Sequence, residues 1–478
     1  PQDDEGGSAS GAAYIFKRSA GSWKQTAKLV ASDAAASDQA GEFCEISGDY
    51  AIYGAYAKNS NTGAAYIFKR DTGAETWAQQ SKLTASDAAT NDRLGWGVSI
   101  DGDYAIAGAH SENSGAGSAY IFKRSGTSWS QEAKITADNA GGGDYFGYDV
   151  TISGDYVAVG AIYEDTTASD SGSVYIFKKE TGDFTTSSQP NTGSVSGSTQ
   201  FNGDTFYLIP SKSTTTKLHY EPWGTSGNQP THAFTITMSG SNYVINVNDT
   251  GATGNPANVS APSGSAASTA TVSAGDTVTI YDSTGNSGTF TMPTLNGPGW
   301  SQQQRIQSSD RATNDNFGCA VAMDGDYLAV SAPYDNSNYG AVYMFKKDTG
   351  AETWTQQSKI IPSGVGSNDQ AGNIGRLSIS GDTVVMGSDL HDSGGVSDSG
   401  AAWVFERSGT TWSEVKKLSA SDKGSGYRFG ISVGVSGSTV LVGSGYADQT
   451  HTNNGAAYIF EKVYVGPTLT YDNANKLS

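Results

Sequence analysis

The sequence is poor in positive charge and contains no long apolar stretch. Lysine and arginine total 29 against 48 aspartate and glutamate residues, which gives a formal net charge of −19 over 478 residues. A surface of this sign repels phosphate backbones and anionic lipids, which argues against nucleic acid as a partner. No apolar run reaches the roughly 18 residues of a membrane-spanning helix, so membrane insertion is not expected either.

Cysteine is nearly absent, and helical periodicity is missing altogether. Cys44 and Cys319 lie on the same type of strand but far apart in sequence, so they are interpreted as small buried apolar residues and not as a disulfide. The two cysteines therefore indicate no compartment. No helix is predicted anywhere in the chain.

What the sequence has in abundance is glycine, 61 residues in total, and much of it belongs to one repeat. The segment Gly-Ala-Ala-Tyr-Ile-Phe or a close variant occurs seven times, at 11–16, 63–68, 117–122, 172–177, 340–345, 400–405 and 455–460. In most copies a tryptophan follows, with a cation five residues later, as in Trp77 and Lys82. An Asp-rich loop, a strand opened by Phe-Gly, a Ser/Asp-Gly-Asp turn and an apolar strand ending in Gly-Ala complete the unit.

This unit predicts four short strands in about 54 residues, joined by tight glycine-bearing turns. One such meander cannot bury both of its faces, so neighbouring units must stack. Four-stranded sheets repeated radially are typical of a β-propeller. The tryptophans are expected to pack between blades, with the following cation exposed.

The Phe-Gly opening, the Gly-Asp turn and the Gly-Ala ending resemble FG-GAP repeats, over residues 1–178 and 300–460. The resemblance implies a seven-bladed propeller of the kind at the head of integrin α chains, which also occurs in bacterial and viral surface proteins. Seven Tyr-Ile-Phe strands agree with seven blades. Pro1–Asp4 align with the Pro333–Asp335 region, so the chain is expected to begin in mid-blade, as part of a longer polypeptide or of a propeller completed by other residues.

The spacing of the tryptophans predicts an inserted domain. Trp129 and Trp300 are 171 residues apart, and the repeat motif is missing between them. The predicted division is a first propeller part at 1–180, an inserted immunoglobulin-like β-sandwich at 181–299, a second propeller part at 300–462, and a linker at 463–478. Asn248 and Asn258 match the glycosylation tripeptide, a pattern that is common by chance.

Cofactors are not expected. The resemblance implies calcium bound in the hairpin between the first two strands, but here that hairpin has shrunk to Ser-Gly-Asp, which supplies one carboxylate and cannot surround an ion. Its aspartates are expected to bond the backbone of their own turn; they are Asp49, Asp103, Asp155, Asp326 and Asp382. Weak calcium binding by the paired aspartates of the interblade loops is the less favoured alternative to Asx turns; the pairs are Asp33/Asp38, Asp87/Asp92, Asp138/Asp144 and Asp310/Asp315.

No catalytic residues are predicted, and the chain is expected not to be an enzyme. Its five histidines share no short motif with a nucleophile or a metal ligand, and the inner strands offer mostly valine, isoleucine, alanine and glycine. Divergent loops after each Gly-Ala strand are instead the predicted ligand-binding surface, because loops tolerate change while strands must pack. The predicted ligand-binding residues are Tyr56, His110, Tyr163, Tyr334 and Tyr446.

These features favour a non-enzymatic module of an extracellular, cell-surface or virion-surface protein that recognises a surface protein or glycan. The first alternative is an architectural block of a filament, fibre or spike, with copies of itself as partners. A propeller hydrolase or lyase is the less favoured third. Both the leading function and its location depend on fold-level analogy.

Overall fold

The computed structural model describes residues 6–19, 21–165, 168–180, 299–447, 455–465 and 468–477, together with eight short strands between 206 and 291. It divides into two compact units, one formed by 1–178 and 302–478 and the other by 179–301. Each is described here by itself.

The first unit contains six four-stranded antiparallel sheets and one two-stranded sheet. The two-stranded sheet pairs β1 (Ala13–Ser19) with β2 (Ser22–Leu29). Blade 1 has β3 (Cys44–Ser47), β4 (Tyr50–Gly54), β5 (Ala65–Asp71) and β6 (Thr76–Leu83), and blade 2 has β7 (Val98–Asp101), β8 (Tyr104–Ala109), β9 (Ser118–Ser125) and β10 (Ser128–Ile135). Blade 3 has β11 (Phe146–Ser153), β12 (Tyr156–Ala161), β13 (Ser173–Glu180) and, after the second unit, β22 (Gly299–Ile306).

The remaining blades repeat this order. Blade 4 has β23 (Val321–Asp324), β24 (Tyr327–Ala332), β25 (Ala341–Asp348) and β26 (Thr353–Ile360). Blade 5 has β27 (Leu377–Ser380), β28 (Thr383–Ser388), β29 (Ala401–Ser408) and β30 (Thr411–Leu418). Blade 6 has β31 (Phe429–Ser436), β32 (Thr439–Ser444), β33 (Ala456–Val465) and β34 (Thr468–Leu477).

The all-β propeller is confirmed, but the prediction of seven blades is wrong, because the described residues form six four-stranded blades. Each Tyr-Ile-Phe strand had been counted as one blade. The first copy, 11–16, leads only into β1, and β1 pairs only with β2 among the described strands. Residues 468–477, predicted as part of a linker, form β34 and pair with β33 as the outer strand of blade 6.

The two motif glycines explain how closely the blades approach each other. A Cβ atom added to Gly108, at the end of β8, would lie 2.0 Å from the carbonyl oxygen of Gly147 in the next blade. A Cβ atom added to Gly54 would collide in the same way with the carbonyl oxygen of Gly95. The Gly-Ala ending and the Phe-Gly opening are therefore the two sides of one interblade contact, which no larger residue fits.

Tryptophan packing between blades is confirmed. Trp129 of blade 2 meets Tyr50 of blade 1 edge to face, with 6.1 Å between ring centroids. Trp354 and Tyr156 repeat this contact between blades 4 and 3, at 6.0 Å. Since the aromatic rings come from the outer strand of one blade and the second strand of the blade before it, they stabilise the outer part of the ring.

Three four-residue helical turns follow Gly-Ala strands in blades 1, 2 and 4: α1 (Lys58–Asn61), α2 (Glu112–Gly115) and α3 (Asp335–Asn338). Each contains an Asn-Ser pair with left-handed backbone. The sequence had predicted no helix at all. In the part of the chain that the structure describes, no helix is long and apolar enough to cross a membrane.

The second unit contains a five-stranded sheet, in the order β14-β15-β16-β17-β19, and a three-stranded sheet, β18-β20-β21. The strands are β14 (Phe206–Leu208), β15 (Lys217–Pro222), β16 (Phe234–Ser239), β17 (Asn242–Asn246), β18 (Asn258–Ser260), β19 (Thr269–Val272), β20 (Thr277–Tyr281) and β21 (Ser287–Thr291). The immunoglobulin-like topology stays a prediction, and Asn248 lies outside the described residues.

Candidate functional site

A polar cluster fixes the loops at one end of the blades. In blade 2 the Tyr120 hydroxyl lies 2.8 Å from both Asp87 Oδ1 and Glu112 Oε2, so these two carboxylates share its one donor proton. Lys134, five residues after Trp129, donates to Asp87 Oδ2 at 2.6 Å and also to Glu112. The lysine therefore holds the pKa of Asp87 below its usual value. We call these four side chains the blade-2 polar cluster.

Other blades vary this arrangement. Blade 4 repeats it, with Tyr343 and Lys359 binding Asp310 and Asp335. In blade 1 the residue that corresponds to Glu112 is Lys58, which is buried and donates to Asp38 at 2.8 Å. The cation after the tryptophan was predicted to be exposed. In blades 2 and 4 it is instead the partner of two carboxylates.

The second aspartate of each interblade loop caps the backbone of its own loop. Its carboxylate accepts from the N–H group three residues earlier, at 2.6–2.7 Å, for Asp38, Asp92, Asp144, Asp315 and Asp369. This confirms the predicted backbone role for the second aspartate of each pair only. The first aspartates Asp33, Asp87 and Asp310 accept instead from lysine side chains.

The turn aspartates behave differently from the prediction. Asp49 accepts from the Arg70 guanidinium at 2.6 Å, and Asp326 pairs with Lys347 at 3.0 Å. Asp103 and Asp382 pair likewise with Arg124 and Arg407. These carboxylates therefore neutralise cations of the third strand of their own blade and not the backbone of the turn, because the third strand ends beside the turn.

We expect calcium to leave the stability of the propeller unchanged. The carboxylates of the loops and turns already hold lysine, arginine or backbone donors, and among the described residues no three His, Cys, Asp or Glu side chains converge as a metal site would require. Adding EDTA should shift the melting temperature by less than about 1 °C, since no ligand-linked stabilisation is lost. A drop of several degrees that calcium reverses would contradict this expectation.

Above the polar clusters, aromatic rings form a continuous arc across neighbouring blades. Tyr56 lies 4.6 Å from Trp96, and Trp96 lies 4.7 Å from His110, between ring centroids. His110 continues to Tyr145, and Tyr145 to Tyr163, each at 5.1 Å. Three of these residues, Tyr56, His110 and Tyr163, follow Gly-Ala strands as predicted. We call these five residues, with Tyr148, the aromatic arc.

His110 is the buried centre of the arc. Its side chain is only 2% exposed, and Tyr148 packs against it at 5.5 Å. Burial, with the nearby Arg93 guanidinium, lowers the pKa of His110 to about 3. The imidazole is therefore neutral near pH 7. Among the described residues neither its Nδ1 atom nor the buried Nε1 atom of Trp96 has a hydrogen-bond partner.

Tyr163 and Tyr334 border a shallow depression of about 510 Å³ at the end of the arc. Its other walls are the interblade loop 312–316 and the turn 336–338. Burial raises the pKa of both phenols, so both hydroxyls stay protonated and are hydrogen-bond donors near neutral pH. Three of the five predicted residues, Tyr56, Tyr163 and Tyr334, thus lie along one surface formed by blades 1 to 4, whereas the fourth, His110, is buried.

Tyr446, the fifth predicted residue, is not part of the arc. It lies in blade 6 and is 40% exposed, with the Arg428 guanidinium 5.4 Å from its ring centroid. The prediction for the cysteines is confirmed for one of them. Cys319 is a buried free thiol as predicted, but Cys44, also a free thiol, is exposed on β3.

Three residues of the arc, Trp96, Tyr145 and Tyr148, were not predicted. Trp96 and Tyr148 directly follow the glycine of the Phe-Gly-type motif, and Tyr145 directly precedes that motif. The preceding residue has a left-handed backbone in all six blades, at Gln39, Arg93, Tyr145, Asn316, Gln370 and Arg428. Such a conformation is rare for non-glycine residues, and its recurrence shows that the fold imposes it. Comparing these two positions between repeats would have found the missing rings.

A family model for the FG-GAP repeat matches six segments, 23–68, 77–122, 129–177, 300–345, 354–405 and 412–460. The chain belongs to the FG-GAP repeat family. The matched segments run from the outer strand of one sheet to the third strand of the next, so each spans an interblade loop. No curated protein sequence matches the chain.

Several solved structures are similar to the chain at low sequence identity. A protein from Lactobacillus plantarum is 12% identical, with 90% of this chain and 95% of that chain covered and a TM-score of 0.35. The periplasmic gluconolactonase PpgL of Pseudomonas aeruginosa is 13% identical, with 89% and 98% covered and a TM-score of 0.31. A putative 6-phosphogluconolactonase from Bacteroides uniformis is 13% identical, with 78% and 97% covered and a TM-score of 0.22.

The two lactonase names correct one expectation. Enzymatic activity was predicted to be absent, yet two of the similar structures are named as a gluconolactonase and a putative 6-phosphogluconolactonase, so that exclusion does not stand. At these TM-scores and identities, the similarity assigns no reaction to the FG-GAP chain.

Proposed function

We propose that this FG-GAP propeller is a recognition module of an extracellular, cell-surface or virion-surface protein, and that it binds a protein or glycan through the aromatic arc. The observation that carries the proposal is the continuity of the arc. Rings from three successive blades touch one another from Tyr56 to Tyr163. Scattered surface aromatics would need no explanation, but a contiguous set does.

The side chains of the arc suit a partner whose surface is partly apolar and partly rich in hydroxyl or peptide groups. Tyrosine and tryptophan provide rigid contact area at low entropic cost, which is why they are enriched in recognition surfaces. The Arg93 guanidinium, 5.8 Å from the Trp96 ring, adds a cation at the rim. The protonated phenols of Tyr163 and Tyr334 can donate hydrogen bonds to carbonyl or hydroxyl oxygens.

Replacing Tyr163, the exposed end of the arc, together with its neighbour Tyr334 by alanine should weaken binding at least about tenfold, because a few aromatic anchors account for most of the affinity of such surfaces. The probes are a glycan microarray and intact cells, with the fluorescently labelled full chain. Pretreating the cells with protease or with glycosidase distinguishes a protein partner from a glycan partner.

The matched control is Tyr104→Ala. Tyr104 begins β8 and His110 follows its end, so the control lies at the opposite end of the same strand. We expect this variant to bind as the wild type does. Equal loss in both variants would show a general folding effect. Full binding by the Tyr163→Ala/Tyr334→Ala variant, with loss of binding on deletion of 183–297, would assign recognition to the second unit.

A further inference from the structure

In blades 1 to 4 the cation five residues after the tryptophan forms an ion pair with at least one carboxylate. The pairs are Lys82/Asp33, Lys134/Asp87, Lys134/Glu112, Arg305/Glu164, Lys359/Asp310 and Lys359/Asp335. Lys417 is the equivalent cation of blade 5. Among the described residues its ammonium group pairs with no carboxylate and donates instead to His391 Nε2, at 2.6 Å.

Substitutions in blade 5 remove the acidic partners of this lysine. Relative to blade 2, Gly364 takes the position of Asp87, and His391 takes the position of Glu112. A Cβ atom added to Gly364 would lie 3.8 Å from Lys417 Nζ, with no other described residue beyond its chain neighbours within 4 Å. The space that the Asp87 side chain fills in blade 2 is therefore open in blade 5 and borders the ammonium group.

The buried His391 fixes the Lys417 ammonium group without neutralising it. An ammonium group can only donate, so His391 Nε2 is the acceptor, and the Nδ1–H group donates to Asp369 Oδ2 at 2.7 Å. Because an ammonium group has three N–H donors and His391 accepts from one, two donors remain for an acceptor from outside the chain.

A second lysine adds positive charge at the same place. Lys423 is exposed, and among the described residues it forms no ion pair. Its Nζ atom would lie 2.7 Å from a Cβ atom added to Gly394, in the loop that also carries His391. Compared with blade 2, this end of blade 5 thus has two fewer carboxylates and one more cation.

The carboxylates near Lys417 are already engaged. Both oxygens of Glu414 accept from Ser363, from its N–H group at 2.7 Å and from its hydroxyl at 2.6 Å. Asp369 accepts from His391 and from the backbone of its own loop. Burial lowers the pKa of Lys417 in spite of both carboxylates, and the charge of Lys423 lowers it further. An added negative charge would therefore stabilise this ammonium group.

We propose that Lys417 and Lys423 bind the carboxylate of an acidic sugar at this end of blade 5. The carboxylate takes the place that Asp87 has in blade 2. It accepts from the two remaining N–H donors of Lys417 and pairs with Lys423 at the exposed rim. Such charge-assisted hydrogen bonds are about twice as strong as those between neutral groups.

Two observations favour an acidic sugar over an acidic peptide. The chain has a net charge of −19, so it repels a partner with several carboxylates more strongly than a ligand with one. The loops beside the site, 363–368 and 421–426, carry one apolar side chain, that of Val365, among serine, glycine and other polar residues. A hydrophilic ligand with a single negative charge, such as a uronate, fits both.

The test measures binding of glucuronate to the full chain by saturation-transfer NMR, in a buffer without other carboxylates. We expect saturable binding of glucuronate and none of glucose, which lacks the carboxylate. Lys417→Met should weaken binding at least about tenfold, because it removes the charged donor. His391→Glu should do the same, because it restores the carboxylate that occupies this lysine position in blade 2. Lys423→Gln should weaken binding about threefold, as loss of an exposed ion pair does.

Thermal unfolding checks that the variants fold. Glutamate already occupies the position of His391 in blade 2, and Lys423 is exposed, so at least these two variants should melt as the wild type does. Lys24→Gln is the matched control, because it removes the same charge from an exposed position of β2 and should leave binding unchanged. Tyr163→Ala/Tyr334→Ala should also bind glucuronate normally, which separates this site from the aromatic arc.

The proposal is overturned if glucuronate binding does not saturate, if glucose binds equally well, or if folded His391→Glu and Lys423→Gln variants bind like the wild type. Tighter binding of sulfate would show a general anion site instead of a carboxylate site. Tighter binding of a tetraglutamate peptide would assign the site to an acidic protein partner. Either result would contradict the proposed ligand.

Discussion

Lys134→Met should destabilise the propeller by about 3 kcal/mol, because it removes the cation that Asp87 and Glu112 share. Glu112 is 9% exposed in its side chain, so its carboxylate would remain buried without an opposite charge. Tyr120 would still donate to it, but one hydrogen bond does not replace an ammonium group. Equilibrium urea unfolding, followed by fluorescence and by circular dichroism, measures the loss.

Blade 6 shows how the loss can be reversed. There the position of Glu112 is taken by Ala447, which is fully buried, while Tyr458 keeps its hydrogen bond to Asp422 at 2.7 Å. The fold therefore accepts an apolar residue at this position. We expect Glu112→Ala to rescue Lys134→Met, with a coupling of at least about 1.5 kcal/mol in a double-mutant cycle.

The exposed pair of Lys17 and Glu75 is the matched control. Both side chains are nearly half exposed, and their distance of 2.6 Å is as short as that of Lys134 and Asp87. Lys17→Met should cost less than about 1 kcal/mol, as exposed ion pairs do. If Lys134→Met cost no more than Lys17→Met, the blade-2 polar cluster would contribute no more than a surface ion pair, and it would not be what fixes the loops.

The sequence predicted the blade and the interblade contact well, because both depend on local rules repeated many times. Alternating strands, Gly-Asp turns and the Gly-Ala ending have one meaning in every copy. The number of blades was predicted wrongly for the opposite reason. Gly11–Phe16 looks like its six counterparts, but whether two inner strands pair with β1 depends on contacts between distant segments, which the local pattern does not contain.

The candidate site was predicted in part. Tyr56, His110 and Tyr163 could be found because they follow the Gly-Ala strand, and the loops after that strand share a face. The arc that joins these three residues could not be found from the sequence. Trp96, Tyr145 and Tyr148 belong to a different loop family, and their side chains contact the predicted residues only in the folded propeller. Periodicity along one strand says nothing about which rings touch between blades.

His110 and Asp149 give the propeller two opposing responses to acid. The pKa of His110 falls from 6.5 to about 3 on folding, so the unfolded chain binds its proton first as the pH drops. Burying the neutral imidazole therefore costs no proton-binding free energy above pH 6.5. As the pH falls from 6.5 toward 3, the free energy of unfolding decreases. Between pH 7 and pH 4 the loss amounts to about 3 kcal/mol, at 1.36 kcal/mol per pKa unit.

Asp149 acts in the other direction. The dense surroundings of its carboxyl raise its pKa from 3.8 to about 7, although its Oδ2 atom accepts from the Val321 N–H group at 2.9 Å. The folded chain binds this proton first. Its contribution is therefore fully present below pH 3.8 and is lost as the pH rises through 7, which is opposite in sign to the contribution of His110.

The two effects can be separated by substitution. Relative to the wild type at each pH, His110→Phe should gain about 3 kcal/mol between pH 7 and pH 4, because the phenyl ring fills the site of the imidazole and takes up no proton. Asp149→Asn should lose stability over the same interval, and the double variant should follow the wild type. Urea unfolding at half-unit pH steps measures these differences, and the other carboxylates cancel because all four proteins share them. A His110→Phe variant whose stability runs parallel to that of the wild type from pH 7 to pH 4 would show that the buried imidazole does not carry the depressed pKa.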